Sequence, residues 1–314
     1  MILCNSMVKT NRTVTDLVRT AWAGLMVGDA LGAPAEFCYR SDILARFPFG
    51  LSEMVDGFCI CSDRRAGEIT DDTQMAYCLH QALQEARGWN SAVALKYYRA
   101  WLETDPHDVG EATQAALMGQ PMQDSQGNGV LMRVLPIALW AIHHPEFNWV
   151  IAAREDAALT HPHSVCGDSN VAYVYALQLA ARAGSTPTLI HEKTLAMAEE
   201  VGLASSVSHA IYRSAFERPD YDGEHIGWVL IALQSAFYQL LHARSFRAGL
   251  VDIVSAGGDT DTNAAIAAPL LALVHGMGAI PYRWLRCVRR ANAPCYTELL
   301  PSDEAYIRAG GLSW

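Results

Sequence analysis

Apolar side chains recur every three or four positions over most of this chain. Leu17, Ala21, Leu25 and Gly28 form one such stripe. Its spacing predicts a helix over about 13–32, stopped by Gly32 and Pro34. Met75, Leu79, Leu83 and Ala86 form a second stripe, which begins near Asp71 and ends at Gly88. The same periodicity predicts helices over about 91–103, 110–118, 129–142, 148–159, 169–183, 189–199, 203–216, 224–243 and 263–275. Leu250–Val254 is a short apolar run that fits a strand or a helix end. Residues 41–67 hold several Gly and Pro residues without a sustained period. They read as a long loop, and such loops inside compact domains are usually functional or mobile. No fixed-period repeat, low-complexity tract or linker interrupts the pattern. One all-α domain over 13–300, after a short extension 1–12, is the simplest organisation.

Composition narrows the function classes. Hydrophobic residues make up 51% of the 314 positions and charged residues 18%, a core-rich balance rather than a disordered one. The formal net charge of -10 argues against general binding to nucleic acid, which needs clustered cations. The apolar stretch Ala264–Val274 has roughly half the ~20 residues that a membrane span requires, and Met1–Arg12 has no apolar signal region. The eight cysteines form no CxxC pair. Reduced thiols in the cytoplasm are therefore expected, without a disulfide framework, and Cys59 and Cys61 read as small hydrophobes in a loop.

Two oxygen-rich clusters each open an apolar helix. Thr70-Asp71-Asp72 suits a helix cap, since a hydroxyl and acids are favoured there. One acid suffices for capping, however, and two adjacent carboxylates repel each other, which a cation relieves. Asp259, Asp261 and Thr262 follow Gly257-Gly258, and alternate residues of a turning segment can converge on one ion. A turn followed by a cap remains the plainer reading of that piece alone. Together the clusters offer four carboxylates and two hydroxyls. Hard oxygen ligands without Cys or His suit Mg²⁺, Mn²⁺ or Ca²⁺ rather than zinc, and four acids suit two ions better than one. Gly127-Asn128-Gly129 is either a turn or a backbone cradle for an anion such as a pyrophosphate. Glu36, after Pro34, is either a mobile acid or a solvated surface residue.

Four motifs in order, GDALGAPAE (28–36), GEITDDTQMA (67–76), GNGVLMR (127–133) and GGDTDTNAAIAA (257–268), resemble the ADP-ribosylglycohydrolase family. The resemblance runs from about residue 17 to about 286. It implies a single-domain, orthogonal all-α bundle with a binuclear Mg²⁺ or Mn²⁺ centre at helix starts. By resemblance, Thr70, Asp71, Asp72, Asp259, Asp261 and Thr262 are the metal ligands. Glu36 is the acid of a mobile substrate loop, and Gly127, Asn128, Gly129 and Met132 form the nucleotide-binding loop. Asp108 resembles an acid near the acceptor, and His161, in Thr160-His161, a residue near the substrate. Pro269 departs from the family pattern and is expected to kink its helix or be absorbed near its start.

The implied activity is metal-dependent removal of ADP-ribose from a modified protein or small molecule, through an oxocarbenium-like transition state. Arginine is the first acceptor to consider, ahead of serine, other side chains and nucleic-acid ends. A metabolic regulator and an immunity protein against an ADP-ribosylating toxin would look alike, and a monomer is expected. Three rivals have features of their own. A terpene-synthase type would need a later acid in the run that starts at Asp71. A dehalogenase-type phosphatase would need a strand at Leu250–Val254 and a different residue at Asn263. A non-catalytic ADP-ribose binder would not need both acidic sets intact.

Overall fold

Helix α1, Val14–Gly32, starts where Thr13 and Asp16 cap each other. Thr13 Oγ1 accepts from the Asp16 amide, and the Asp16 carboxylate accepts from the Thr13 amide. This satisfies two amides that a first turn leaves unpaired. The computed structural model describes residues 13–59 and 63–311, so the expected extension 1–12 and the reading of Cys61 lie outside the described residues.

After α1 come α2 (Arg40–Arg46), α3 (Asp71–Ala86), α4 (Ser91–Leu102), α5 (Glu111–Leu117), α6 (Leu135–His143), α7 (Trp149–Ala158) and α8 (Ser164–Ala180). The second half comprises α9 (Pro187–Val201), α10 (Ser205–Arg213), α11 (Val229–His242), α12 (Phe246–Val254) and α13 (Thr260–His275). The described chain closes with α14 (Tyr282–Ala291), α15 (Pro294–Thr297) and α16 (Asp303–Arg308). The fold is all-α, as expected. Among the described residues there is no strand, only isolated antiparallel bridges at Tyr39–Gly257 and Gly127–Trp228.

The centre of the bundle is the pair α1–α13. Every residue from Thr260 to Leu273 is buried, which is what a helix apolar on all sides requires. Its closest neighbour presents glycines at every fourth position. A Cβ on Gly28 would lie 2.4 Å from the Ala264 carbonyl oxygen, and one on Gly32 would lie 2.4 Å from the Asp261 Cα. The order of contacts, Gly24 on Ala268 and Ala272 but Gly32 on Asp261, makes the two helices antiparallel. The end of α1 is thereby placed against the start of α13. The Thr260 hydroxyl donates to the Gly32 carbonyl at 2.7 Å and fixes that junction.

Of the two readings of Leu250–Val254, the helix end holds, as the end of α12, because its apolar side chains pack at helical spacing under α13. Several other expectations need correction. The expected helix 129–142 starts only at Leu135. Asn128–Val130 is a single 3-10 turn, and Pro136 lies in the first turn of α6, where a missing amide costs no intrahelical bond. The loop 41–67 contains α2. Helices α14 to α16 extend the fold beyond the last predicted element, and the Tyr306 hydroxyl ties α16 back to the Ile280 carbonyl at 2.6 Å. Cys38 and Cys59 form a disulfide with Cα atoms 6.0 Å apart, against the expectation of reduced thiols. The turn after α1 and the returning loop bring together two residues whose spacing announced nothing. Pro269 is absorbed inside a continuous α13. Nearby, the buried Tyr173 hydroxyl donates to the Ile266 carbonyl, in the turn where a proline disrupts the regular amide ladder.

Candidate functional site

The first acidic cluster is the N-terminus of α3. Thr70 is its cap: Oγ1 accepts from the Asp72 amide at 3.3 Å and donates to Asp72 Oδ2 at 2.8 Å. Beneath it lies Asp29, an acid inside α1 that sequence reasoning assigned no role. Its carboxylate accepts from the Thr70 amide at 3.0 Å, from the Thr73 amide at 3.2 Å and from the Thr73 hydroxyl. An acid at a helix N-terminus matches the partial positive charge there. The signal was available, because Asp29 stands four residues after Leu25 on the apolar stripe of α1, where a charge needs a partner.

The second cluster depends on Gly257 and Gly258, with φ of 83° and 73°. At Gly258 an added Cβ would fall 1.8 Å from the Tyr221 carbonyl oxygen, so the close approach demands glycine. The turn also clasps the segment after α1. The Phe37 amide donates to the Gly258 carbonyl at 2.8 Å, and the Gly258 amide to the Cys38 carbonyl at 3.0 Å. These bonds hold Glu36 over the start of α13. Glu36 is buried, at 6% exposure, which corrects the solvated-surface reading.

The carboxylates of Glu36, Asp108 and Asp261 come within 4.8 Å of one another, with Asp108 the least buried. Asp108 pairs with Arg64 at 3.5 Å, and Arg64 also donates to the Ile69 carbonyl. Arg64 sits in the loop whose lack of pattern hid it. On the other side, Asn128 Nδ2 donates to Asp259 Oδ2 at 2.7 Å. The structure thus gathers Glu36, Thr70, Asp71, Asp72, Asp108, Asn128, Asp259, Asp261 and Thr262 around the junction of α1, α3 and α13.

Electrostatically the junction is unfavourable as it stands. Burial pushes the Asp72 carboxyl well above the usual range, and the charges of Asp261, Asp29 and Asp71 add to it. Asp71 is raised by burial and then by Asp108, Asp29 and Asp259, and Arg64 offsets only part. Asp261 is raised by burial, Glu36, Asp259 and Asp29. Asp72 Oδ1, Asp259 Oδ1, Asp261 Oδ1 and Asn263 Oδ1 are buried without a hydrogen-bond partner among the described residues. Native proteins leave few such atoms. Oxygen lone pairs converging from repelling carboxylates are a donor set for hard cations, so these residues fit the metal centre that the resemblance implies.

The glycine loop has a firmer role than a free cradle. The Asn128 amide donates to the Gly227 carbonyl at 2.8 Å, and Gln126 accepts from the Val229 amide. The Asn128 amide is therefore engaged and does not point at a ligand, contrary to the simplest form of the cradle. His161 is buried beneath the loop: a Cβ on Gly127 would lie 2.8 Å from its Nε2, and one on Gly129 3.3 Å from its Cε1. Burial first, and then Arg133, push the His161 imidazole down to about 3, so it stays neutral. Arg133, fully buried and missed by sequence reasoning, donates to the Gly129 carbonyl at 3.0 Å and pairs with Asp156 at 3.1 Å. Met132 packs in the hydrophobic core rather than on an open surface. Beside the loop is a cavity of about 490 Å³, bordered by Gly127, His225, Gly227 and Trp228. Its size and aromatic wall suit part of a nucleotide.

A sequence model of the ADP-ribosylglycohydrolase family matches residues 10–309. The chain is 28% identical over 287 residues to the ADP-ribosyl-[dinitrogen reductase] glycohydrolase of Rhodospirillum rubrum, covering 88% of this chain and 91% of that protein. It is 24% identical to the ADP-ribosylarginine hydrolase Tri1 of Pseudomonas putida (strain GB-1), over 89% of this chain and 76% of that protein. A solved structure described as an ADP-ribosylglycohydrolase-related protein complex superposes with a TM-score of 0.75 at 28% identity, covering 94% of this chain and 99% of that one. A nearly full-length match, carried by motifs that the fold brings to one junction, places this chain in the ADP-ribosylglycohydrolase family, as a glycohydrolase.

Proposed function

We propose that this glycohydrolase removes ADP-ribose from arginine side chains of modified proteins, using two Mg²⁺ or Mn²⁺ ions. The observation that carries the reading is the convergence of Glu36, Asp108 and Asp261 within 4.8 Å, with Asp108 at the more exposed edge. Arginine is favoured because its guanidinium stays cationic, and carboxylates line the edge it would approach. Two of the relatives, from Pseudomonas putida and Serratia proteamaculans, carry the name ADP-ribosylarginine hydrolase.

Thr70, Asp71, Asp72, Asp259, Asp261 and Thr262 would hold the ions. When bound, the ions would supply Lewis acidity and a hold on the ribose hydroxyls. Glu36, buried and held by the pairing of Phe37 and Cys38 with Gly258, takes a proton from the attacking water. Asp108, braced by Arg64, pairs with the acceptor guanidinium. Asn128 orients Asp259, and the cavity beside Trp228 takes the adenosine end. Among the described residues no helix is long and apolar enough to cross a membrane, and Cys78, Cys166, Cys287 and Cys295 are unpaired. Those thiols support a cytoplasmic setting, with the Cys38–Cys59 bond as the exception.

The test is turnover of a panel of proteins and peptides carrying ADP-ribose on arginine, serine or a nucleic-acid end, with Mg²⁺ or Mn²⁺. Preferential release from arginine supports the proposal. Preferential release from another linkage would reassign the acceptor, and no release from any would reduce the protein to a binder.

A further inference from the structure

A cavity away from the acidic junction has the opposite charge. About 580 Å³ in volume, it lies between α14 and the loop that leads into Thr70. Arg65, Arg283, Arg286 and Arg290 line it, with Glu68 and Cys287. The three of these on α14, Arg283, Arg286 and Arg290, recur at helical spacing on one face, while Trp284, Leu285 and Val288 are buried on the other. In a chain of net charge -10, four guanidinium groups around one cavity are a local reversal.

The charges are only partly neutralised. Arg283 pairs with Glu53. Among the described residues, Arg65, Arg286 and Arg290 have no carboxylate in ion-pair contact. The nearby acids also bond other groups, although Glu68 itself lines the cavity and Asp303 interacts electrostatically with Arg286. Glu68 accepts from the Arg65 amide and Asp56 from the Ala66 amide, each at 2.9 Å, and Asp303 is held by Arg289. Arg286 is steadied over the Tyr282 ring. Several guanidinium groups brought together, three of them outside ion-pair contact, match the planar, multi-oxygen face of phosphate.

We propose that this cavity is a second anion site, distinct from the acidic junction, for a phosphorylated small molecule carrying at least two negative charges. The volume lies in the range of small-molecule sites. The site is built onto the loop of the metal-ligand cluster: Asn292, just after α14, donates to the Gly67 carbonyl at 2.8 Å and accepts from the Ile69 amide at 3.2 Å.

Cys287 gives a local readout, because its half-buried thiol lines the cavity. The metal-loaded protein would be alkylated with neutral iodoacetamide at constant ionic strength and excess Mg²⁺, and modification followed residue by residue by mass spectrometry. Inorganic pyrophosphate is the probe, inorganic phosphate the weaker comparison and chloride the control for screening. At ten times the dissociation constant, occupancy slows Cys287 alkylation by about tenfold, and exposed Cys295 serves as the internal reference. The Arg286→Gln/Arg290→Gln double variant loses that protection while keeping its melting temperature. Equal protection by chloride, no protection by pyrophosphate, or protection unchanged in the folded double variant would each overturn the assignment.

Discussion

Asn128 Nδ2 donates to Asp259 Oδ2 at 2.7 Å, joining two motifs 131 positions apart in the chain. The bond engages one oxygen of Asp259 and leaves Oδ1 buried without a hydrogen-bond partner among the described residues. Partners that orient ligating carboxylates typically matter by 10- to 100-fold in affinity or activity. Asn128→Ala should therefore raise the Mn²⁺ concentration needed for half-maximal activity by about 10- to 100-fold. Metal titration of the purified variant checks this, and an unchanged requirement would leave Asn128 a loop residue only.

Asp29 contributes through folding rather than chemistry. It anchors two amides and a hydroxyl at the start of α3. Asp29→Ala strands those donors in a buried place and should cost about 2–3 kcal/mol of stability, read as a lowered denaturation midpoint in metal-free protein. A midpoint at the wild-type value would show that water replaces the carboxylate.

Both of these residues mark what the sequence made legible. The stripe Leu17, Ala21, Leu25 announced α1, and the clusters at Thr70 and Asp259 announced helix starts that the structure brings together. Asp29 stood on the same stripe and was passed over, because a periodic count records polarity rather than asking what would satisfy a buried charge. Arg64 and Arg133 were hidden for another reason: each works through a contact with a distant segment, Asp108 and Asp156, and no local pattern encodes such a pairing. The Cys38–Cys59 bond and the face of α14 likewise depend on how the chain returns. Gly24, Gly28 and Gly32 recur every four residues, a repeat whose meaning only the partner helix supplies.

That repeat gives a packing test. Gly28→Val would force α1 from α13, since even a single Cβ would sit 2.4 Å from the Ala264 oxygen. Overpacking of this kind costs about 1–3 kcal/mol, occasionally more, and it would also shift Asp29 relative to Thr70. The variant should lose both thermal stability and activity, and a wild-type melting temperature with wild-type turnover would contradict this packing role.

The crowded carboxyls set a pH dependence for the metal-free protein. Asp71, Asp72 and Asp261 hold protons more tightly in the native state than at their ordinary value of 3.8. The native state therefore binds more protons than the unfolded chain above that value, and stability falls as pH rises through the window up to the raised native values. EDTA-treated protein should melt lower at pH 8 than at pH 5. Asp72→Asn should flatten that difference, and excess Mn²⁺ should reverse it. A metal-free midpoint that rises from pH 5 to pH 8 would contradict the account.

The central claim is that Glu36 performs proton chemistry at a junction where Asp71, Asp72, Asp259 and Asp261 hold metal. The direct measurement is single-turnover hydrolysis of an ADP-ribosyl-arginine protein by wild type and Glu36→Gln at saturating Mn²⁺, alongside the affinity of each for free ADP-ribose. The account predicts a fall in rate of about 10²- to 10⁴-fold that added Mn²⁺ does not rescue, with ADP-ribose affinity retained. A wild-type rate in the variant, or full rescue by Mn²⁺, would contradict it and leave Glu36 a bystander or a metal ligand.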